Sequence, residues 1–181
     1  PTLTATTLTA FGNQCIGGSY GPNAFTITGS SLTSANVTVA SLSGYTFSTT
    51  SGGTYTSSLS LPQAGGAFSQ QIFVKFEPTA VVSYNGNIVV GGGGATDINV
   101  VASGAGINTG ITITTPTSAS LGVTTATLGG NITSIGCSNA TVRGVEWSTS
   151  NGFANGTGTQ VSTSGSFGTG VFTQAVTGLP G

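Results

Sequence analysis

Five side chains of this 181-residue chain carry charge: Lys75, Glu77, Asp97, Arg143 and Glu146. Histidine is absent. Proton transfer, metal ligation and phosphate binding each need convergent ionic or titratable groups, and these five are spread along the sequence. The chain therefore reads as non-enzymatic and without a cofactor. Two separated basic residues neutralise too few phosphates for nucleic acid to be an expected partner, and three scattered acids make no carboxylate cage for calcium. The glycine run at 91–94 lacks the Lys-Ser/Thr that ends a phosphate loop and reads as a turn. Cys15 and Cys137 are the remaining reactive groups, and thiol catalysis without a histidine partner is not expected.

The background in which these residues sit is rich in Thr, Ser, Gly and Asn, with 36% hydrophobic residues and a net charge of −1. Disorder usually accompanies low hydrophobicity with high net charge; here, many β-branched residues favour a pleated surface instead. Period-2 alternation recurs along the chain and helical periodicity does not, which predicts an all-β protein. Residues 70–77 (QQIFVKFE) set Ile72, Val74 and Phe76 on one face, with Lys75 and Glu77 sharing the other as a solvent-side ion pair, before Pro78 stops the strand. Further strands are expected at 2–11, 24–28, 36–40, 45–49, 57–61, 84–90 and 96–102. The pattern restarts after Gly106 with 111–114, 124–128, 141–148 and 170–176. Tyr84 follows a proline-containing turn in the manner of a corner tyrosine, so a structural hydrogen bond is expected of it. Four Asn-x-Ser/Thr triplets, at Asn36, Asn131, Asn139 and Asn155, arise readily by chance in such a composition.

No apolar run approaches the ~20 residues of a membrane-spanning helix, so membrane insertion is not expected. No basic and apolar leader opens the chain, which fits an exported segment whose signal has been removed or lies outside this window. A surface this close to neutral gives little colloidal repulsion and favours association.

Residues 1–106 resemble the immunoglobulin-like repeats of secreted Bacteroidota surface proteins, through LTAFGNQCIGGSYGPNAFTITGSSL, GYTFSTTSGGTYTSSLSL and IFVKFEPTAVVSYNGNI. Residues 107–181 resemble a fibronectin type III module of the same kind of protein, through TTATLGGNITSIG, VRGVEWSTSNGF and VTGLPG. The resemblance implies two tandem β-sandwiches, the second incomplete, because the VTGLPG phrase normally precedes two more strands. Those strands come either from a longer tandem polypeptide or from a neighbouring subunit that donates an extended segment to the open groove. The Thr-rich start, Thr2, Leu3, Thr4, Ala5, Thr6, Thr7 and Leu8, is the candidate donor.

In such a sandwich the first strand carries Cys15 to the far pole of the first domain. Cys137, between the second and third strands of the next domain, lies at the pole facing it. A Cys15–Cys137 disulfide stapling the domains is expected, with an intersubunit bridge and two buried thiols as the alternatives. Trp147, on the third strand of the second domain, reads as a core anchor, with a sugar-stacking platform as the competing role. The function expected is that of a structural subunit or repeat segment of an extracellular filament or giant cell-surface adhesin. Its partner would be itself, through strand complementation and domain stacking, and the resemblance implies export by the type IX route. A glycan- or surface-binding module, or an accessory segment of a secreted enzyme, is the alternative.

Overall fold

A computed structural model describes residues 1–180, and every regular element in them is a β-strand. The chain divides into two compact units, residues 1–108 and residues from 109 onward.

The first unit contains β1 (Thr2–Ala5), β2 (Gly12–Cys15), β3 (Tyr20–Leu32), β4 (Val37–Val39), β5 (Tyr45–Ser48), β6 (Leu59–Leu61), β7 (Gly66–Phe76), β8 (Gly86–Gly92), β9 (Ala95–Ala102) and β10 (Gly104–Ile107). One sheet has the order β1-β3-β7-β5 and the other β6-β4-β8-β9, while β2 and β10 form a separate parallel pair. The alternation read from the sequence explains the layers. Phe25 and Ile27 of β3, Phe47 of β5, and Ile72, Val74 and Phe76 of β7 face inward from one sheet; Val37, Val39, Ile88, Val90 and Val100 meet them from the other, all essentially inaccessible to water. Each such side chain contributes about 1.5–3 kcal/mol on burial. This is a two-sheet, immunoglobulin-like sandwich.

Phe76 is the hub of its aromatic end, with ring centroids 5.6 Å from Phe11, 5.1 Å from Tyr45 and 5.4 Å from Tyr84. The Tyr84 hydroxyl accepts hydrogen bonds from the amides of Thr79 (3.0 Å) and Ala80 (2.9 Å), fixing the turn that Pro78 begins. The structural hydrogen bond expected of Tyr84 is present. Tyr84→Phe keeps the ring but strands both amides, so urea unfolding should show a loss of about 1–3 kcal/mol. A loss near zero would mean that solvent satisfies the turn equally well.

Between β8 and β9, Gly92, Gly93 and Gly94 all have positive φ, and a Cβ on Gly92 would lie 2.1 Å from the Asn36 carbonyl oxygen. The turn expected at 91–94 therefore depends on glycine both for backbone conformation and for space.

Two expectations are corrected. The single strand over residues 2–11 is interrupted: β1 ends at Ala5 and β2 begins at Gly12. The intervening chain changes sides because Phe11 packs into the aromatic cluster and its amide donates to the Ser103 carbonyl at 2.8 Å. Lys75 and Glu77 are also drawn to other partners than each other. The Lys75 ammonium lies 4.4 Å from the centre of the Tyr55 ring, and Glu77 accepts from the Ser19 hydroxyl at 2.9 Å.

The second unit contains β11 (Thr112–Ile113), β12 (Thr117–Ala119), β13 (Thr125–Ser134), β14 (Ala140–Trp147), β15 (Thr159–Phe167) and β16 (Gly170–Thr177). β13 is central, paired with β16 along one edge and with β11 and β12 along the other. β14 and β15 form a separate antiparallel hairpin, with Arg143 opposite Thr163 and Val145 opposite Val161. These are the two layers of a β-sandwich, one of four strands and the other of two.

Candidate functional site

The second unit encloses few apolar side chains. Its buried apolar residues among those described are Ala126, Ile132, Ala140 and Val176, two of them alanines, whereas the continuous hydrophobic core lies wholly in the first unit. Val142, Ile113 and Val171 are 55%, 66% and 73% exposed. Between the two layers runs a cleft of about 970 Å³, walled by Ile113, Pro116 and Thr117 on one side, Leu128 and Phe172 on its floor, and Val142 to Glu146 on the other side.

The lining identifies which edge is open. Five consecutive residues of β14 border the cleft, whereas β15 contributes only the alternate residues Gln160 and Ser162. In a strand, alternate residues share one face, so a consecutive run means that the cleft follows the backbone edge of β14. That edge has no strand partner among the described residues, since β14 pairs only with β15. An unpaired edge beside a half-buried apolar floor is a template for another strand.

Both charged groups in the cleft wall are already engaged. The Arg143 guanidinium stacks 4.2 Å from the centre of the Phe167 ring and 5.5 Å from that of Phe172. Glu146 accepts from the amides of Gly156 (2.9 Å) and Gly158 (2.5 Å), tying down the loop after β14. The Gly156 hydrogen bond is the main cause that holds the Glu146 carboxyl below its ordinary pKa; desolvation opposes it and further bonds from Gly158 and Gln160 assist. A carboxylate with a depressed folded pKa stabilises above its unfolded pKa, and the contribution is lost as pH falls through the folded value. The 148–158 loop should thus stay ordered at neutral pH and loosen in acid below the usual glutamate range. Glu146→Gln should remove that acid dependence from Gly156 and Gly158 amide exchange, and an unchanged pH profile in the variant would contradict the assignment.

Trp147 ends β14 and is half-buried, not enclosed as the expected anchor would be; its indole nitrogen is buried with no acceptor among the described residues. Of the candidate donor segment, Thr2, Leu3, Thr4 and Ala5 form β1 in their own sheet, paired in register with Ser30, Gly29, Thr28 and Ile27. Thr6 follows with its amide on the Thr26 carbonyl, Thr7 is exposed, and Leu8 packs partly against the first unit's core.

Neither cysteine is a free thiol: Cys15 and Cys137 are both disulfide-bonded. Within its own unit, Cys15 pairs with Ile107 in the β2–β10 ladder. Within the other, the Cys137 amide donates to the Thr109 carbonyl at 3.0 Å.

The Arg143 stack and the Glu146 staple were not legible in sequence. The one available signal for the staple was the pair of glycines in the polar turn at 154–158, which leaves two amides free to converge on a carboxylate.

No protein-family profile matches the chain, and no curated protein matches it. Among solved structures, the chain is similar to the FN1–FN3 domains of chicken CNTN1, with 11% identity and a TM-score of 0.27. That similarity covers 93% of this chain and 55% of the other, so the chain spans about half the length of the structure it matches. No helix among the described residues is long and apolar enough to cross a membrane.

Proposed function

We propose that this chain is a non-catalytic, load-bearing segment of an extracellular bacterial filament or giant surface adhesin, assembled by β-strand addition and domain stacking and exported by the type IX route its sequence resemblance implies. The observation that carries the reading is the cleft of the second unit, with its unpaired β14 edge and exposed apolar wall. Main-chain hydrogen bonds would provide the adhesion there, and alternate apolar side chains would complete the core. Few charges are available for salt to screen, so assembly should be insensitive to ionic strength.

The two oxidised cysteines fit this role if they are bonded to each other. Ile107 and Thr109, the residues that hold Cys15 and Cys137, are two positions apart in the connection, and the chain contains no third cysteine. Such a bond would keep the connection from being extended under load, and oxidation fits an extracellular setting.

Negative-stain microscopy tests the assembly. Regular fibres should form and persist in about 1 M salt, where the screening length is only about 3 Å. Val142→Lys should disperse them, because a lysine at this exposed cleft position opposes strand pairing while costing the folded unit no more than about 0.5 kcal/mol. Val171→Lys, at a more exposed position outside the cleft wall, should leave them intact. Dispersed wild-type monomers that bind a glycan array would overturn the reading in favour of a glycan-binding module.

A further inference from the structure

Resting on the reading of the cleft as a strand acceptor, we propose that its occupant is the amino-terminal segment of a second copy of this chain, residues 2–8, added along the free edge of β14. Length, alternation and charge each favour this segment. β14 offers an eight-residue edge, and at home the segment commits only the four residues of β1 to a ladder, at the outer edge of its sheet. Addition to β14 therefore allows about seven residues to pair where four pair now. The four-residue ladder given up on leaving β3 is shorter than the one gained.

The segment's side chains match the cleft. Over residues 2–6, Leu3 and Ala5 lie on one face and Thr2, Thr4 and Thr6 on the other, so one face meets an apolar floor of Leu128 and Phe172 while hydroxyls face outward; at Thr7 and Leu8 the phase reverses. At home, Thr2 and Thr4 already present that hydroxyl face, bonded to Ser30 (2.8 Å) and Thr28 (2.7 Å). The segment carries no charged side chain. Because Arg143 is stacked on aromatic rings and Glu146 is saturated by backbone amides, the cleft presents no unpaired ion for a neutral strand to leave buried.

The seat of the segment in its own unit is also imperfect. A groove of about 500 Å³ lies between residues 3–8 and β9, bordered by Ile98 to Val101. Leu3 is nevertheless buried in the first unit's core, with Ala5 and Leu8 packed against it, so departure of the segment gives up that burial and the new seat must return it.

The test uses the intact chain, a synthetic peptide of residues 1–10 and a chain lacking residues 1–8. Trp147 is the sole tryptophan and closes β14, so its emission reports on the acceptor. The peptide should produce a saturable change in Trp147 emission and should abolish long fibres by capping cleft after cleft. A peptide carrying Leu3→Lys and Ala5→Lys should do neither. The shortened chain should fail to form fibres yet still take up the peptide; the peptide arm with the intact chain stands even if the shortened chain misfolds. Fibres of normal length from the shortened chain, or a peptide without effect on intact chains that do form fibres, overturn this donor while leaving strand addition in place. Intact chains that form no fibres overturn the broader reading.

Discussion

Phe76→Ala should lower the stability of the first unit by about 3–5 kcal/mol, a large fraction of the about 5–15 kcal/mol that holds a typical domain folded. The side chain is fully buried, its ring contacts those of Phe11, Tyr45 and Tyr84, and a Cβ on Gly104 would lie only 2.9 Å from it. Truncation leaves a cavity between two sheets whose strands are fixed in register, so collapse recovers little. The two units are separable by spectroscopy: all four tyrosines, Tyr20, Tyr45, Tyr55 and Tyr84, lie in the first unit and the one tryptophan in the second. Urea unfolding followed by tyrosine near-ultraviolet circular dichroism should move to lower midpoint, while the Trp147 transition stays where it was. A loss below about 1 kcal/mol would show that the cluster is not the keystone of this core.

The second large effect follows from the proposed bond between Cys15 and Cys137. It would close a loop of more than a hundred residues, for which chain-entropy reasoning gives about 4–5 kcal/mol, an upper value when the denatured chain is compact. The Cys15→Ala, Cys137→Ala double variant should therefore lose up to that amount from its total unfolding free energy. Because the bond acts mainly on the unfolded ensemble, its removal lets the denatured chain expand, and the denaturant slope should rise. Peptide mapping without reductant should recover one cross-linked pair containing both cysteines. Recovery of Cys15 joined to Cys15, or of either residue as an alkylated thiol, would refute the pairing.

Most of the first unit was legible because its strands satisfy two conditions at once. Ile72, Val74 and Phe76 alternate strictly, and glycines or prolines punctuate the ends, so local pattern and tertiary demand agree. The strand over 2–11 was misread for the opposite reason. Its Thr-Leu-Thr-Ala alternation slips by one residue at Thr6-Thr7, a local signal of the break, while the turn itself is fixed by the distant Ser103 carbonyl and the aromatic cluster around Phe11. β15 was missed because Thr159–Phe167 is a run of Thr, Ser and Gly with Val161 as its one aliphatic residue; it is held by its ladder with β14 and has little apolar signature of its own. Lys75 shows the same limit at a side chain. Spacing placed it beside Glu77, while the Tyr55 ring, twenty positions away in sequence, offered a face for its ammonium. The composition alone argued for a structural role. Which edge is available for partners emerged only from the run of β14 residues along the cleft.

Hydrogen exchange on β14 tests the central claim most directly. Amides of Ala140–Trp147 that point into the cleft should exchange rapidly in dispersed chains and become strongly protected in assembled material, while those of β8, which lies between β4 and β9 in the first unit, remain unchanged. Equal exchange of the β14 amides in dispersed and assembled material would mean that no strand is added there.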